Sequence, residues 1–267
     1  MTTSTALVPA ALVTVERVRG SAPREAGAWM IVTNEGSEGT IGGGRLEYLA
    51  MEKARALLAG EGRALDLALP LGPEIGQCCG GHVALSIRRV DEAVTAEIAA
   101  RRAEESAVRP EVLVFGAGHT GLALARALAL LPVRTALIDT RAEALSNAPE
   151  GIETHCTALP EHHVRAAAPG SAFVVLTHDH ALDFLIAGEA LARGDAAYVG
   201  LIGSATKRAR FSRWLAGQGG GSAAALTCPI GAPTRDKRPE VIAAFTATEV
   251  MARLAAAIPA RQANAAP

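Results

Sequence analysis

Two hydrophobic patterns divide the chain. Up to about residue 90, apolar and polar positions alternate in short runs: ALVTVERV, AWMIVT, RALDLALPL and HVALSIRRV. Alternation of this kind predicts half-buried strands, with GSAPREAG and NEGSEG as turns between the first of them. One stretch departs from it. TIGGGRLEYLAMEKARALL passes from a glycine turn into a helical stripe formed by Leu46, Leu49, Met51, Ala54, Leu57 and Leu58. After Pro110 the pattern changes. EVLVFGAG, VRTALIDT, AFVVLTHD and AYVGLIGS each hold a continuous apolar run that ends in a polar or glycine turn, with helical patterns among them. Continuous runs suit strands buried on both faces, so this half predicts a parallel sheet with helices on its faces. Between the halves, the charged, Ala-rich DEAVTAEIAARRAEESAVRP predicts a helix, read equally well as a connector or as a surface helix of the first half. The expected fold is α/β: an N-terminal α/β domain over 1–90, a helical connector over 91–109, and a Rossmann-like doubly wound parallel sheet over 110–267.

Composition narrows the function classes. The formal net charge is −1 and aromatic residues make up 3% of the chain, so neither a basic surface nor a base-stacking platform is expected. No nucleic acid and no membrane are expected as partners. The N-terminus lacks a basic stretch ahead of its apolar part, and no apolar run reaches the roughly 18 residues that span a bilayer. The four cysteines suggest no disulfide framework, so the expectation is a cytoplasmic protein with reduced thiols.

Gly116, Gly118 and Gly121 form G-x-G-x-x-G in FGAGHTG, with His119 inside it, after an expected strand and at the start of an expected helix. Asp139 ends the next strand, at the distance the dinucleotide fingerprint requires. Glycines let the backbone approach a phosphate, and the helix start offers unpaired N–H groups. Asp139 would accept from a ribose diol. The alternative is a turn that packs tightly and holds no dinucleotide. Two later turns also belong where such sheets bind ligands. THDHALD carries His178, Asp179, His180 and Asp183, suited to a metal or acid–base site or else to a solvated loop with a helix cap. GLIGSATKRARF carries Gly203, Ser204, Thr206, Lys207 and Arg208, which suit an anionic ligand or else form an exposed basic face.

LGPEIGQCCGG sets Gln77, Cys78, Cys79 and Gly80 in the turn between two expected strands. Adjacent cysteines bond to each other only in a strained ring, and the spacing is not that of a four-ligand zinc site. What remains is a thiolate that carries sulfur, attacks a substrate or ligates a transition metal, or two small residues that fill a turn.

These strings, together with RGSAPREAGAWMIV, GTIGGGRLE, YVGLIGSATKRARF and CPIG, resemble the xanthine dehydrogenase accessory protein family, of the XdhC/CoxI type, across nearly the whole chain. The XdhC branch is the most similar. The resemblance implies a cytoplasmic, homodimeric chaperone without turnover of its own. It would bind molybdenum cofactor in its molybdopterin form, assist sulfuration by a NifS-type cysteine desulfurase and deliver the product to the molybdenum-binding subunit of xanthine dehydrogenase, with a molybdenum insertion protein as a further partner. The family's cysteine before two glycines falls on Cys79, the implied metal ligand, ahead of Cys78. On this view Gly116, Gly118, Gly121 and the Ser204–Arg208 turn hold the cofactor's anion, the cofactor spans the two domains, and a nucleotide is a further ligand of the Rossmann cleft. One departure stands out: GAPTRDKRPEVIAAF has Asp236 where the family has glycine, while Lys237 and Pro239 match. Two other classes compete. One is an NAD(P)-dependent oxidoreductase built on the fingerprint, and the other is a sulfurtransferase with persulfide on Cys78 or Cys79.

Overall fold

The computed structural model describes residues 8–60, 62–72, 80–219, 221–231 and 234–264. The chain divides into two compact units, residues 1–105 and 106–267.

The alternating runs of the first unit form an antiparallel sheet. Its strands are β1 (Ala10–Arg19), β2 (Trp29–Thr33), β3 (Ser37–Gly39), β4 (Ala64–Pro70) and β5 (His82–Arg89), in the order β3-β2-β1-β5-β4. One face carries Val13, Val15, Met30, Val32, Leu85 and Ile87, and it buries Leu46, Ala50 and Ala54 of helix α1 (Gly44–Ala59). The glycine turn before α1 is held by Glu47, whose carboxylate accepts from the Gly43 N–H and the Thr40 hydroxyl, both at 2.8 Å. That reach-back satisfies one of the donors a helix start leaves unpaired. At the other end, Arg89 donates to the carbonyls of Leu57, Leu58 and Gly60 and closes the helix. The charged Ala-rich stretch is helix α2 (Glu92–Val108). Its Val94 and Ile98 pack with Leu12, Trp29 and Ile31 of the first sheet, and Trp29 Nε1 donates to Glu105 at 2.7 Å. The NEGSEG turn is shorter than its composition suggests, because Ser37–Gly39 pairs with β2 as an edge strand.

The second unit is a six-stranded sheet in which every strand pair is parallel. Along the chain it runs β6 (Glu111–Phe115), α3 (His119–Ala129), β7 (Arg134–Asp139), α4 (Ala142–Leu145), β8 (Glu153–Cys156), α5 (Glu161–Ala166), β9 (Ala172–Val175), α6 (His180–Ala192), β10 (Tyr198–Leu201), α7 (Ala205–Gly217), β11 (Leu226–Thr227) and α8 (Pro239–Asn264). In space the order is β11-β10-β9-β6-β7-β8, the doubly wound order with its reversal between β6 and β9. Both faces are covered, which is why its central strands read as unbroken apolar runs. Val112 and Val114 of β6 pack with Leu124 and Leu128 of α3 and Ala243, Ala247 and Val250 of α8. Leu113 and Phe115 pack on the opposite face with Ile186, Ala187 and Ala190 of α6 and Phe211 and Leu215 of α7. No described helix is long and apolar enough to cross a membrane.

Candidate functional site

In an open doubly wound sheet the ligand crevice lies beyond the carboxyl ends of the strands, where the order reverses. Here that point is flanked by the turns after β6 and β9. The three fingerprint glycines stand in three different surroundings. Gly116 has φ +115°, and a methyl there would overlap the Leu176 carbonyl. Gly121 is buried, and a methyl there would overlap the Gly116 carbonyl oxygen, so this position sets how closely α3 approaches β6. Gly118 has an ordinary φ of −74°, is exposed, and a methyl there would meet nothing. Gly118 therefore leaves room for something outside the fold.

The same turn offers donors. Gly118 is the N-cap of α3, and among the described residues no side chain caps that end. Its first-turn N–H groups, together with the helix dipole, suit an anion. His119 opens the helix and is exposed. Of the other helix starts at this edge, two are capped from within: Asp179 accepts from the N–H groups of Ala181 and Leu182 at α6, and Ser204 from that of Lys207 at α7, whereas the short helices α4 and α5 start without a side-chain cap, as α3 does.

Asp139 ends β7 beside this turn, as expected, but its carboxylate is 4% exposed and occupied. Oδ2 accepts from the Ala117 N–H at 2.7 Å and from Arg141 Nη2 at 3.1 Å. Oδ1 accepts from the Arg141 N–H and Nε, both at 3.0 Å. Burial alone would raise this carboxyl, but the Arg141 guanidinium and the two backbone N–H groups outweigh it and hold it below the usual carboxylate range. Arg141 is the residue that pattern reading misses. Its only signal is its place two residues after the acid.

The THDHALD and SATKR turns are tied together rather than left open. Asp183 is 1% exposed and accepts from the Thr177 N–H at 2.9 Å and hydroxyl at 2.7 Å, while its other oxygen pairs with the Lys207 ammonium. Lys207, expected to face a ligand anion, is 9% exposed and spends its charge on Asp183. Gly203 makes this possible, because a methyl there would press on the Lys207 side chain that lies over it. His178, Asp179 and His180 are exposed, and with Asp179 capping α6 the turn takes the helix-cap form. Among the described residues no group of three or more His, Cys, Asp or Glu side chains could hold a metal ion. Arg208 is partly buried and donates to the Cys228 carbonyl at 3.4 Å. A separate cavity of about 520 Å³ lies along β10 and β11, and of the expected site residues that are described, Arg208 alone lines it.

In the first unit, Gln77, Cys78 and Cys79 lie outside the described residues. Their described neighbours are firmly placed. The Leu71 N–H donates to the Gly81 carbonyl and the Gly80 N–H to the Leu71 carbonyl, at 2.7 and 2.8 Å. Gly80 is exposed with φ +68°. A methyl on Gly81 would overlap the Ser21 carbonyl oxygen, so this second glycine is architectural.

Comparison with known proteins matches residues 112–250 to the XdhC Rossmann domain and residues 5–67 to the XdhC and CoxI family. The chain belongs to the XdhC and CoxI family. A crystal structure described as a xanthine dehydrogenase from Bacillus halodurans superposes with a TM-score of 0.76, covering 95% of this chain and 94% of that one at 18% identity. This likeness shows that the two chains share their fold over both units. An uncharacterised protein of Escherichia coli, YqeB, is 29% identical over 258 residues, which are 91% of this chain. The chain spans 43% of the length of that relative.

Proposed function

We propose that this XdhC-type chain is an accessory protein for maturation of a xanthine dehydrogenase, and that its cargo is molybdenum cofactor in the molybdopterin form. The observation that carries the reading is the family match in both units. The site geometry supports it through the open, uncapped turn at Gly118, which fits the phosphate that molybdopterin carries. A thiolate at Cys79 would ligate the metal, with Cys78 beside it. The NifS-type desulfurase, the molybdenum insertion protein, the homodimer and the cytoplasmic setting belong to this same proposal. The chain binds, shields and hands over, with no turnover of its own. The competing oxidoreductase reading rests on the fingerprint glycines and Asp139, and the occupied Asp139 carboxylate counts against it.

The test uses protein purified from a host that makes the cofactor. Iodine oxidation followed by pterin fluorescence measures the organic part, and mass spectrometry measures molybdenum. Wild type should hold both, and Cys79→Ala should hold much less metal while keeping its fold. A wild-type protein with neither, even after addition of fresh cofactor, rules the carrier reading out. Full retention by Cys79→Ala removes that thiol as a ligand.

A further inference from the structure

In a dinucleotide-binding sheet, the acid at the end of the second strand accepts from the adenosine ribose. A carboxylate offers about four lone-pair sites. At Asp139 four donors fill them: the N–H groups of Ala117 and Arg141, and Nε and Nη2 of Arg141. Three of the four come from Arg141. The carboxylate is also buried, and the depression bounded by Asp139, Thr140, Pro160 and His178 has a volume of about 10 Å³. That is room for about one water molecule, not an adenine ring. To admit a ribose diol, the partly exposed Arg141 guanidinium would have to give up its charge-assisted hydrogen bonds to the buried carboxylate, which two neutral hydroxyls replace only in part. Meanwhile the glycine turn stays open at Gly118.

We propose that Arg141 is a specificity residue: by locking Asp139 it closes the ribose subsite, so the cleft rejects NAD(H) and NADP(H) and accepts a phosphate-bearing ligand without an adenosine arm. The exclusion stands on the geometry of the turn. The preference for a phosphate without adenosine rests on the function proposed above.

The experiment titrates ADP-ribose, NADH and NADPH calorimetrically into the full-length wild type and Arg141→Ala. ADP-ribose carries the diol, and NADPH asks whether the outer edge of Arg141 takes a 2′-phosphate instead. Wild type should bind none of the three at micromolar affinity. Arg141→Ala should gain at least about tenfold for ADP-ribose, the worth of one recovered hydrogen bond to a charged group. Micromolar binding of any of them by wild type overturns the proposal. So does a folded Arg141→Ala that binds ADP-ribose no better than wild type. If the alanine variant does not fold, Arg141→Lys makes the same comparison, because a lysine ammonium lacks the planar fork that fixes the guanidinium on both oxygens. Pterin content of the same wild-type preparation separates the two claims. A protein that holds pterin yet binds ADP-ribose sinks the lock and leaves the carrier. One that rejects ADP-ribose and holds no pterin does the reverse.

Discussion

Replacing Gly118 or Gly121 by alanine adds the same methyl group three residues apart, and the structure assigns the two opposite consequences. At Gly121 the methyl lands on the Gly116 carbonyl oxygen and 2.8 Å from Leu176 Cδ1. The carbonyl has little freedom, since it shares a peptide plane with the Ala117 N–H, which donates to Asp139 Oδ2 at 2.7 Å. Relief requires α3, with its buried Ala123, Leu124, Ala125 and Leu128, to move off β6. Overpacking costs about 1–3 kcal/mol, at the upper end when backbone must shift. For a domain the size of residues 106–267, about 3 kcal/mol lowers the melting temperature by roughly 6–12 °C. At Gly118 the backbone already suits alanine and nothing lies nearby. A loss of up to about 1 kcal/mol in capping preference is offset by roughly 0.4–1 kcal/mol from a stiffer unfolded chain. The melting temperature should then move by less than about 3 °C. The Gly118 methyl would instead enter the open space of the turn, so ligand retention should fall in a protein that is otherwise intact. Thermal unfolding by circular dichroism and pterin content, measured on both variants, check this. If Gly118→Ala melts as early as Gly121→Ala, or if Gly121→Ala melts with wild type, the assignment of space to one glycine and packing to the other is wrong.

Two further outcomes concern the scaffold. Asp183→Asn leaves the buried Lys207 ammonium without its counter-charge and should cost about 3–5 kcal/mol in urea unfolding, whereas adding Lys207→Met to Asp183→Asn, which keeps an acceptor for Thr177, should cost far less; an unshifted Asp183→Asn midpoint would show that the pair is not formed. Burial, then repulsion from His155 and His162, holds the His163 imidazole below its ordinary value, against a weaker opposite pull from Glu153 and Glu111. The unfolded chain therefore takes up this proton first: stability is fullest above about pH 6.5 and is lost as pH falls through the lower folded value. Urea midpoints at about pH 7.5 and 5.5 should differ more for wild type than for His163→Gln, and an equal difference would refute this role.

Much of the candidate site is legible in the sequence because it is local. Gly116, Gly118 and Gly121 lie in one turn, between a strand and a helix that their own apolar periods announce. What escapes is pairing between distant segments. Lys207 reads as a cation at a helix start, and no local pattern shows that Asp183, 24 residues earlier, neutralises it. Asp139 reads as a ribose acceptor, and the fold turns Ala117 and Arg141 inward to fill it. The strands β3, β8 and β11 escape for a different reason. They are three, four and two residues long and sit at or near sheet edges, too short to show a period.

By itself the sequence determined the two kinds of sheet, because the period of burial along each strand follows from whether one face or both are covered. It determined the glycine turn as well, since the close approach of Gly121 to the Gly116 carbonyl is set within a few residues. Only the tertiary structure decided which polar groups remain available to a ligand. A charge at the carboxyl edge of the sheet is free or spent according to what the packing of other elements brings against it, and that information is not carried by any single segment.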